Sequence, residues 1–159
     1  MHKKIIKAGT IEITNNVKIT KRNIDGSLKE IKEYKNIVTN VCFNDIIDYL
    51  VESGSPTGID YMAFGNNGTA ATVNDTDLVS ETFRKLLTTK TRVGQTAVLS
   101  VYLSTTEAND THLEIGLYGN GATITPGSGD LFNRIVISET KVNTETWTVE
   151  VVLSFANGV

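Results

Sequence analysis

The sequence predicts a mainly β protein: an antiparallel, jelly-roll-like β-sandwich with an amino-terminal β-hairpin and one short α-helix. The clearest observation is the alternation of apolar residues from Trp147 to Phe155, which is typical of a strand with one buried face. Other alternating segments recur in the second half of the chain, separated by polar turns rich in Gly, Asn and Thr. Repeated short strands of this kind are typical of antiparallel sandwiches and barrels.

The first forty residues are predicted to form the hairpin. Apolar residues occupy odd positions from Ile11 to Ile19, which places them on one face of a strand. Asp25-Gly26 follows, and both residue types tolerate the positive φ of a tight hairpin turn. The return segment alternates Lys and Glu with apolar residues, which suits an exposed sheet edge. We therefore interpret residues 1–40 as a hairpin arm and 41–159 as the sandwich domain, together one structural unit.

A helix is predicted over residues 41–52, with Asn40 as its N-cap. Its apolar residues recur at helical spacing and are expected to face the core. Asp45 and Asp48 are expected on the opposite, solvated side. The apolar set consists of Val41, Ile46, Ile47, Leu50 and Val51.

The rest of the chain is predicted to be extended. After Glu81 we expect a strand in which Arg84 pairs with a carboxylate or with backbone carbonyls, although the two side chains would point to opposite faces of a regular strand. Loops rich in Gly and Asn are expected at 66–76 and 119–130. The predicted strands are 59–64, 97–104, 113–118, 131–138 and 146–155.

Composition argues against several classes of function. The chain has 159 residues with 15 basic and 18 acidic side chains, a net charge of −3, which disfavours binding to nucleic acid. The only cysteine, Cys42, lies between apolar residues, so we expect a buried, inert thiol. No apolar run approaches the length needed to cross a bilayer, and no standard export signal is present.

An enzyme is not expected, and neither is a catalytic residue, a cofactor or a bound metal. Gly65-Asn-Asn-Gly lacks the spacing of a phosphate-binding loop. The carboxylates after it lack the ligand spacing of an EF-hand. With only two histidines, a hydrolase would depend on carboxylates such as Asp75, Asp77 and Glu114, and the sequence does not show whether these meet in space.

Five motifs in order resemble a family of small bacteriophage virion proteins. They are Asn36-Ile-Val-Thr-Asn40, Tyr61-Met-Ala-Phe-Gly65, the stretch from Asn74 to Arg84, Glu114-Ile-Gly-Leu-Tyr118 and Gly129-Asp-Leu-Phe-Asn-Arg134. The chain departs from the family pattern at Phe64 and Asn66. The resemblance implies a non-enzymatic β-sandwich protein of the virion, as a capsid decoration, head fibre, tail fibre or baseplate fibre.

The resemblance also implies partners and contact residues. We expect assembly in the bacterial host cytoplasm, contacts with other capsid or tail subunits, and a homo-oligomer, with a trimer as the expected state. Neither nucleic acid nor a membrane is an expected partner. A buried ion-pair set, formed within one chain or between subunits, is expected from Glu81, Arg84, Glu114 and Arg134. The candidate contact residues in the two loops are Asn66, Asn67, Asn74, Asp75, Asp77 and Asn120.

A carbohydrate-binding or receptor-binding module at a fibre tip is the alternative function. Such a module needs aromatic platforms on an exposed face. The available side chains are Tyr61, Tyr102, Tyr118 and Trp147, and three of them lie within predicted strands, where packing in or beside the core is expected.

Overall fold

The computed structural model describes residues 9–54 and 57–158, which form two antiparallel sheets packed face to face and one helix that lies against the second sheet. The first sheet has the strand order β2-β1-β10-β7-β6 and the second has the order β3-β9-β8-β4-β5. The prediction of a mainly β sandwich is therefore confirmed. The elements are β1 (Thr10–Asn23), β2 (Leu28–Lys35), β3 (Ile37–Val38), α1 (Asn40–Leu50), β4 (Ile59–Gly65), β5 (Glu81–Leu86), β6 (Thr89–Val93), β7 (Thr96–Leu103), β8 (Thr111–Gly119), β9 (Asp130–Thr140) and β10 (Glu145–Gly158).

The core lies between the two sheets, and β10 supplies its central row. Trp147, Val149 and Val151 are fully buried, as their alternation predicts. They belong to one apolar cluster with Leu117 and Ile135 of the second sheet. Complete burial of a Val or Leu side chain contributes about 1.5–3 kcal/mol. This cluster therefore provides much of the force that holds the sheets together.

The predicted hairpin is present at residues 10–35. The Ser27 amide donates to Asp25 Oδ1 at 2.9 Å, and Gly26 adopts a φ of +83° at the turn. β1 pairs with β2 on one side and with β10, along its whole length, on the other. The hairpin is thus continuous with the sheet that contains the carboxyl-terminal strand. Residues 1–8 of the predicted arm lie outside the described residues.

The predicted start of the helix was one residue too late. The cap is Thr39, whose Oγ1 accepts the Cys42 amide at 3.3 Å, and Asn40 is already helical. Thr39 also donates its hydroxyl to the Leu131 carbonyl at 2.5 Å and its amide to the Phe132 carbonyl at 3.1 Å. These bonds fix the cap to β9. They hold Thr39 in the extended conformation that a cap requires, so the helix starts after it.

The predicted orientation of α1 was wrong. Cys42 and Asp45 face the protein and are buried, so Asp45 does not lie on a solvated side. The bonds of Thr39 to β9 set this rotation. Cys42 and Asp45, three and six residues after Thr39, lie on the same side of the helix and are therefore turned towards the protein. Three of the five members of the apolar set instead point to solvent, together with the neighbouring Phe43. We call these residues the α1 stripe: Phe43 (40 % exposed), Ile47 (55 %), Leu50 (68 %) and Val51 (64 %).

The expectation of a buried thiol is confirmed. Cys42 is buried, and desolvation raises its pKa to about 12, with the nearby Asp45 carboxylate adding to the shift. At neutral pH the sulfur is therefore the poorly nucleophilic thiol and not the thiolate.

Candidate functional site

Arg134 and Glu114 form a buried ion pair on the outer face of the second sheet. Arg134 Nε donates to Glu114 Oε2 at 2.8 Å, and neither side chain is exposed to solvent. A second nitrogen of the guanidinium, Nη1, donates to Asp75 Oδ2 at 2.8 Å. Burial lowers the pKa of Arg134, but its hydrogen bonds with the two carboxylates outweigh this effect and raise the pKa above its ordinary value.

This pair fixes the long loop between β4 and β5. Arg134 Nη2 donates to the Thr69 carbonyl at 2.9 Å, near the start of the loop. Glu114 accepts the amides of Val79 at 3.0 Å and Ser80 at 2.7 Å, at its end. Each bond to a charged group contributes about 1.5–3 kcal/mol. One ion pair therefore holds both ends of an otherwise irregular segment.

Glu81 and Arg84 form the second predicted pair. The contact is bidentate, with two N–O distances of 2.7 Å. A regular strand would place these side chains on opposite faces, but Thr82 is an extra residue, because Glu81 pairs with Gly65 and Phe83 pairs with Phe64. This bulge returns Glu81 to the face of Arg84. The expectation of an extended segment with a paired Arg84 is confirmed.

Arg84 fixes the second long loop, between β8 and β9. Its Nη1 donates to the Ser128 carbonyl at 2.7 Å and to the Thr123 carbonyl at 3.2 Å. The guanidinium lies 4.0 Å from the centre of the Tyr118 ring, a cation–π contact. Tyr118 also donates to Asp77 and accepts the Leu78 amide, so it connects Arg84 to the loop between β4 and β5. Two effects raise the pKa of Tyr118 above its ordinary value: burial, which is the larger, and the hydrogen bond to Asp77.

The structure thus places the four predicted ion-pair residues in two pairs within one chain. Each pair anchors one of the two predicted contact loops to the outer face of the second sheet. Of the six candidate contact residues, Asn66, Asn74 and Asp77 are exposed, whereas Asn67, Asp75 and Asn120 are half-buried. Three of the side chains, those of Asn67, Asp75 and Asp77, accept backbone amides of the loop between β4 and β5. Asp75, for example, accepts the Thr72 amide at 3.0 Å as well as Arg134.

Two of the four aromatic residues considered for a glycan platform are fully buried. Trp147 lies in the main core, and Tyr118 lies beneath the loops. Tyr61 is half-buried against the same small cluster, and Tyr102 is the exposed member of the set. Only one of the four rings is therefore available to stack on a sugar.

A buried lysine network went unpredicted. Lys21 Nζ lies 2.5 Å from Glu139 and 2.9 Å from Glu30, and 5.1 Å from the centre of the Trp147 ring. Tyr34 also donates to Glu139. Burial lowers the pKa of Lys21, but the bonds to the two carboxylates outweigh it and raise that pKa. One feature of the sequence could have predicted the burial of Lys21: the buried face of β1 consists of odd-numbered residues, and position 21 continues that series.

A second unpredicted group surrounds Asp45 of α1. Asn120 Nδ2 donates to Asp130 Oδ2 at 2.5 Å and, at a long 3.4 Å, to Asp45 Oδ1. The other carboxylate oxygen, Asp45 Oδ2, has no hydrogen-bond partner among the described residues. Burial raises the pKa of Asp45 to about 6, and the neighbouring Asp130 and Asp48 add to this shift. The sequence signal was the position of Asp45 three residues after the buried Cys42.

Comparisons with protein-family models, curated proteins and solved structures gave no match. The family resemblance of the five motifs therefore stays a prediction. In residues 9–54 and 57–158 there is no helix long and apolar enough to cross a membrane. The same residues contain no group of three or more His, Cys, Asp or Glu side chains arranged to hold a metal ion.

Proposed function

We propose that this chain is a non-enzymatic structural subunit of a bacteriophage virion, which self-assembles and docks on the capsid or tail. The observation that carries the docking function is the α1 stripe. Its members are spaced as one face of a helix, yet this face is turned to solvent. The virion assignment is supported by the order of the five sequence motifs.

The α1 stripe has the properties of a surface that another subunit covers. Contiguous apolar patches larger than a few hundred Å² are uncommon on monomeric proteins and mark interaction sites. Val73 is exposed too, and its carbonyl accepts the Asn40 amide at 2.7 Å, so it lies beside the first turn of the helix. Burial of each large aliphatic side chain would contribute about 1.5–3 kcal/mol to the complex.

The charged residues of the second sheet support an architectural role. Glu114 and Asp75, two of the carboxylates considered for a hydrolase, both bind Arg134. Their bonds order the loops before any partner arrives, and a pre-ordered surface loses less conformational entropy when it binds. These contacts favour a function that depends on shape.

The oligomeric part of the proposal is tested by light scattering coupled to size exclusion. The chain mass is 17.3 kDa, and the expected species is a trimer. A monomer at all concentrations would contradict self-assembly.

The docking part is tested by mass spectrometry of phage particles produced with wild-type or variant chain. Leu50→Glu should reduce either the oligomer or the incorporation of the chain into particles. Leu86→Glu is the matched control, because Leu86 is also an exposed leucine (57 %) but lies on β5. Equal behaviour of the two variants would contradict docking through α1, and absence of the wild-type chain from particles would contradict the virion function.

A further inference from the structure

A second exposed apolar surface lies at the tip of the hairpin formed by β1 and β2. Leu28 and Ile31 are three positions apart, which in a regular strand would put their side chains on opposite faces. Lys29 is an extra residue, however, because Glu30 and Leu28 pair with consecutive residues of β1. This bulge turns Leu28 to the face of Ile31. Ile24 is exposed in the turn that joins the two strands. We call these residues the hairpin patch: Ile24, Leu28 and Ile31.

The surroundings of the two apolar surfaces carry opposite charge. Residues 39–52, which contain the α1 stripe, have three acidic side chains and no basic one. Residues 18–35, which contain the hairpin patch, have six basic and three acidic side chains, a net charge of +3. Arg22 pairs with Leu28 and is exposed, and its side chain donates to the Gly26 carbonyl at 3.0 Å. That is its one side-chain hydrogen bond among the described residues, so its guanidinium can still bind a carboxylate of another subunit.

The two surfaces lie at opposite ends of the protein. The bond from Thr39 to the Leu131 carbonyl fixes α1 to the amino end of β9. The hairpin contacts the carboxyl end of β9 through Lys21 and Glu139. Leu131 and Glu139 are eight positions apart in this strand, which is roughly 25 Å at about 3.3 Å per residue. The α1 stripe therefore cannot cover the hairpin patch of its own chain.

Charge decides which of these surfaces can meet between chains. Two α1 stripes in contact would bring acidic margins together, and two hairpin patches would bring basic margins together, which is unfavourable at an interface. A stripe on a hairpin patch instead joins two apolar centres whose margins attract each other. This contact uses different surfaces on the two chains. Such head-to-tail contacts can close a ring of three, whereas a contact between identical surfaces relates chains in pairs.

We propose that the α1 stripe of one chain binds the hairpin patch of a second copy of this chain, and that repetition of this head-to-tail contact builds the oligomer. The inference rests on the proposed function, because it names the surface that covers the α1 stripe. A ring of three such contacts leaves no stripe and no patch exposed. The trimer expected for the proposed function is the smallest ring of this kind beyond a pair.

Two leucine variants test the contact. Leu50→Glu disables the α1 stripe and leaves the hairpin patch intact, whereas Leu28→Glu does the reverse. Each variant alone should be a monomer in light scattering coupled to size exclusion. The matched control is Leu86→Glu on β5, because Leu86 is 57 % exposed and Leu28 is 54 % exposed. This control should keep the oligomer of the wild type. An oligomer that survives Leu28→Glu would overturn the proposal.

A mixture of the two variants contains one complete contact, because the intact stripe of the Leu28→Glu chain can bind the intact patch of the Leu50→Glu chain. Nuclear magnetic resonance detects this contact even when it is weak. The unlabelled Leu28→Glu chain should shift the amides of Ile24 and Ile31 in the labelled Leu50→Glu chain, and the reverse labelling should shift the amides of α1. Absence of these shifts, or equal shifts when a labelled variant meets its own unlabelled form, would overturn the proposal.

A further measurement keeps the proposal testable even if one leucine variant fails to fold. Raising sodium chloride from about 0.05 M to about 0.5 M should weaken the wild-type oligomer at least about threefold, because salt screens surface charges. Arg22→Glu should weaken it by a similar factor. Arg92→Glu is the matched control, since Arg92 is also exposed and donates to a glycine carbonyl, at 2.8 Å, but lies on β6. An oligomer that is insensitive to salt, or equally weakened by both arginine variants, would overturn the proposal.

Failure of this inference is distinguishable from failure of the proposed function. A wild-type chain that enters phage particles, but whose mixed variants show no contact, would overturn the head-to-tail contact alone. Head-to-tail binding by a chain that is absent from particles would overturn the virion function alone. Open chains of increasing mass would support the contact, because a head-to-tail contact that does not close forms filaments, and would contradict the expected trimer.

Discussion

Replacement of Arg134 by Met tests whether one buried ion pair secures the loop between β4 and β5. The variant removes the guanidinium and leaves the Glu114 carboxylate, which has no exposed surface, with two backbone donors and no counter-charge. Loss of one partner from a buried pair costs about 3–5 kcal/mol. Domains of this size have a total stability of about 5–15 kcal/mol. The unfolding temperature should fall by roughly 6–20 °C, at about 2–4 °C per kcal/mol.

Urea unfolding provides the assay, because Trp147 is the only tryptophan and is fully buried. Hydrogen exchange at the Val79 and Ser80 amides should also accelerate, since both bond to Glu114. The matched control is Lys90→Met. It breaks a 2.6 Å pair with Asp60 whose lysine is 52 % exposed, so it should cost less than about 1 kcal/mol.

The single variant Glu114→Gln and the double variant Arg134→Met with Glu114→Gln complete the cycle. The double variant removes the uncompensated charge but keeps only one of the two bonds to the loop amides, because the Gln side chain has a single acceptor oxygen. It should therefore recover about 1 kcal/mol of the loss and not all of it. If Arg134→Met costs no more than Lys90→Met, or leaves the loop amides protected, the anchoring argument fails.

Three further predictions follow from the backbone and from α1. Gly65→Ala should destabilise by about 1–3 kcal/mol, because an added Cβ would lie 2.5 Å from a backbone oxygen, whereas Gly58→Ala meets nothing within 4 Å and should be nearly neutral. Both are read by urea unfolding, and equal costs would refute the close approach. Because Thr39 is the N-cap of α1, Thr39→Ala should lower the free energy of unfolding by about 1 kcal/mol or more, and Asn40→Ala should lower it clearly less. Thermal unfolding measures both, and the reverse order would show that Asn40 is the cap, as the sequence predicted. The raised pKa of Asp45 means that the folded state binds the extra proton, so the contribution of this group to stability should be lost as pH rises from about 4 to about 6 and should appear as a difference between the pH profiles of wild type and Asp45→Asn. Asp45→Asn should remove this pH-dependent contribution. A variant whose stability has the same pH dependence as the wild type would show that the pKa of Asp45 is not raised in the folded protein.

Local signals predicted the elements whose structure is fixed by nearby residues. Asp25-Gly26 identified the hairpin because Gly26 adopts the positive φ that the turn requires, while the Asp25 carboxylate accepts the Ser27 amide. The alternation from Trp147 onward identified a central strand, since only a strand with one face in the core keeps so regular a pattern. The paired state of Arg84 was also predictable, because a guanidinium in a strand needs acceptors.

The orientation of α1 was not predictable from its own pattern. Helical spacing shows which residues share a face, but it does not show which face the rest of the protein covers. Here the bonds of Thr39 to β9 decide the rotation, and β9 lies about ninety positions later in the chain. The burial of Asp45 follows from that distant contact. For the same reason the contact of Lys21 with Glu139 of β9 was invisible to a local analysis.

The bulge at Thr82 shows a different limit. A single extra residue reverses which face each later side chain occupies. The pairing of Glu81 with Arg84 therefore depends on a register that is set by β4, and neither residue type nor spacing in β5 reveals it.

The pairing of β1 with β10 has a consequence for how the protein is made. Asn23 pairs with Glu145, roughly 120 positions later, so the first sheet closes only after β10 has left the ribosome. Until then β1 has one partner and one bare edge, a state open to pairing with other chains. Such distant pairing also slows folding, because a large loop must close before its contacts form. Conditions that slow synthesis or crowd nascent chains should therefore lower the yield of soluble protein, even if the folded protein is stable under the same conditions.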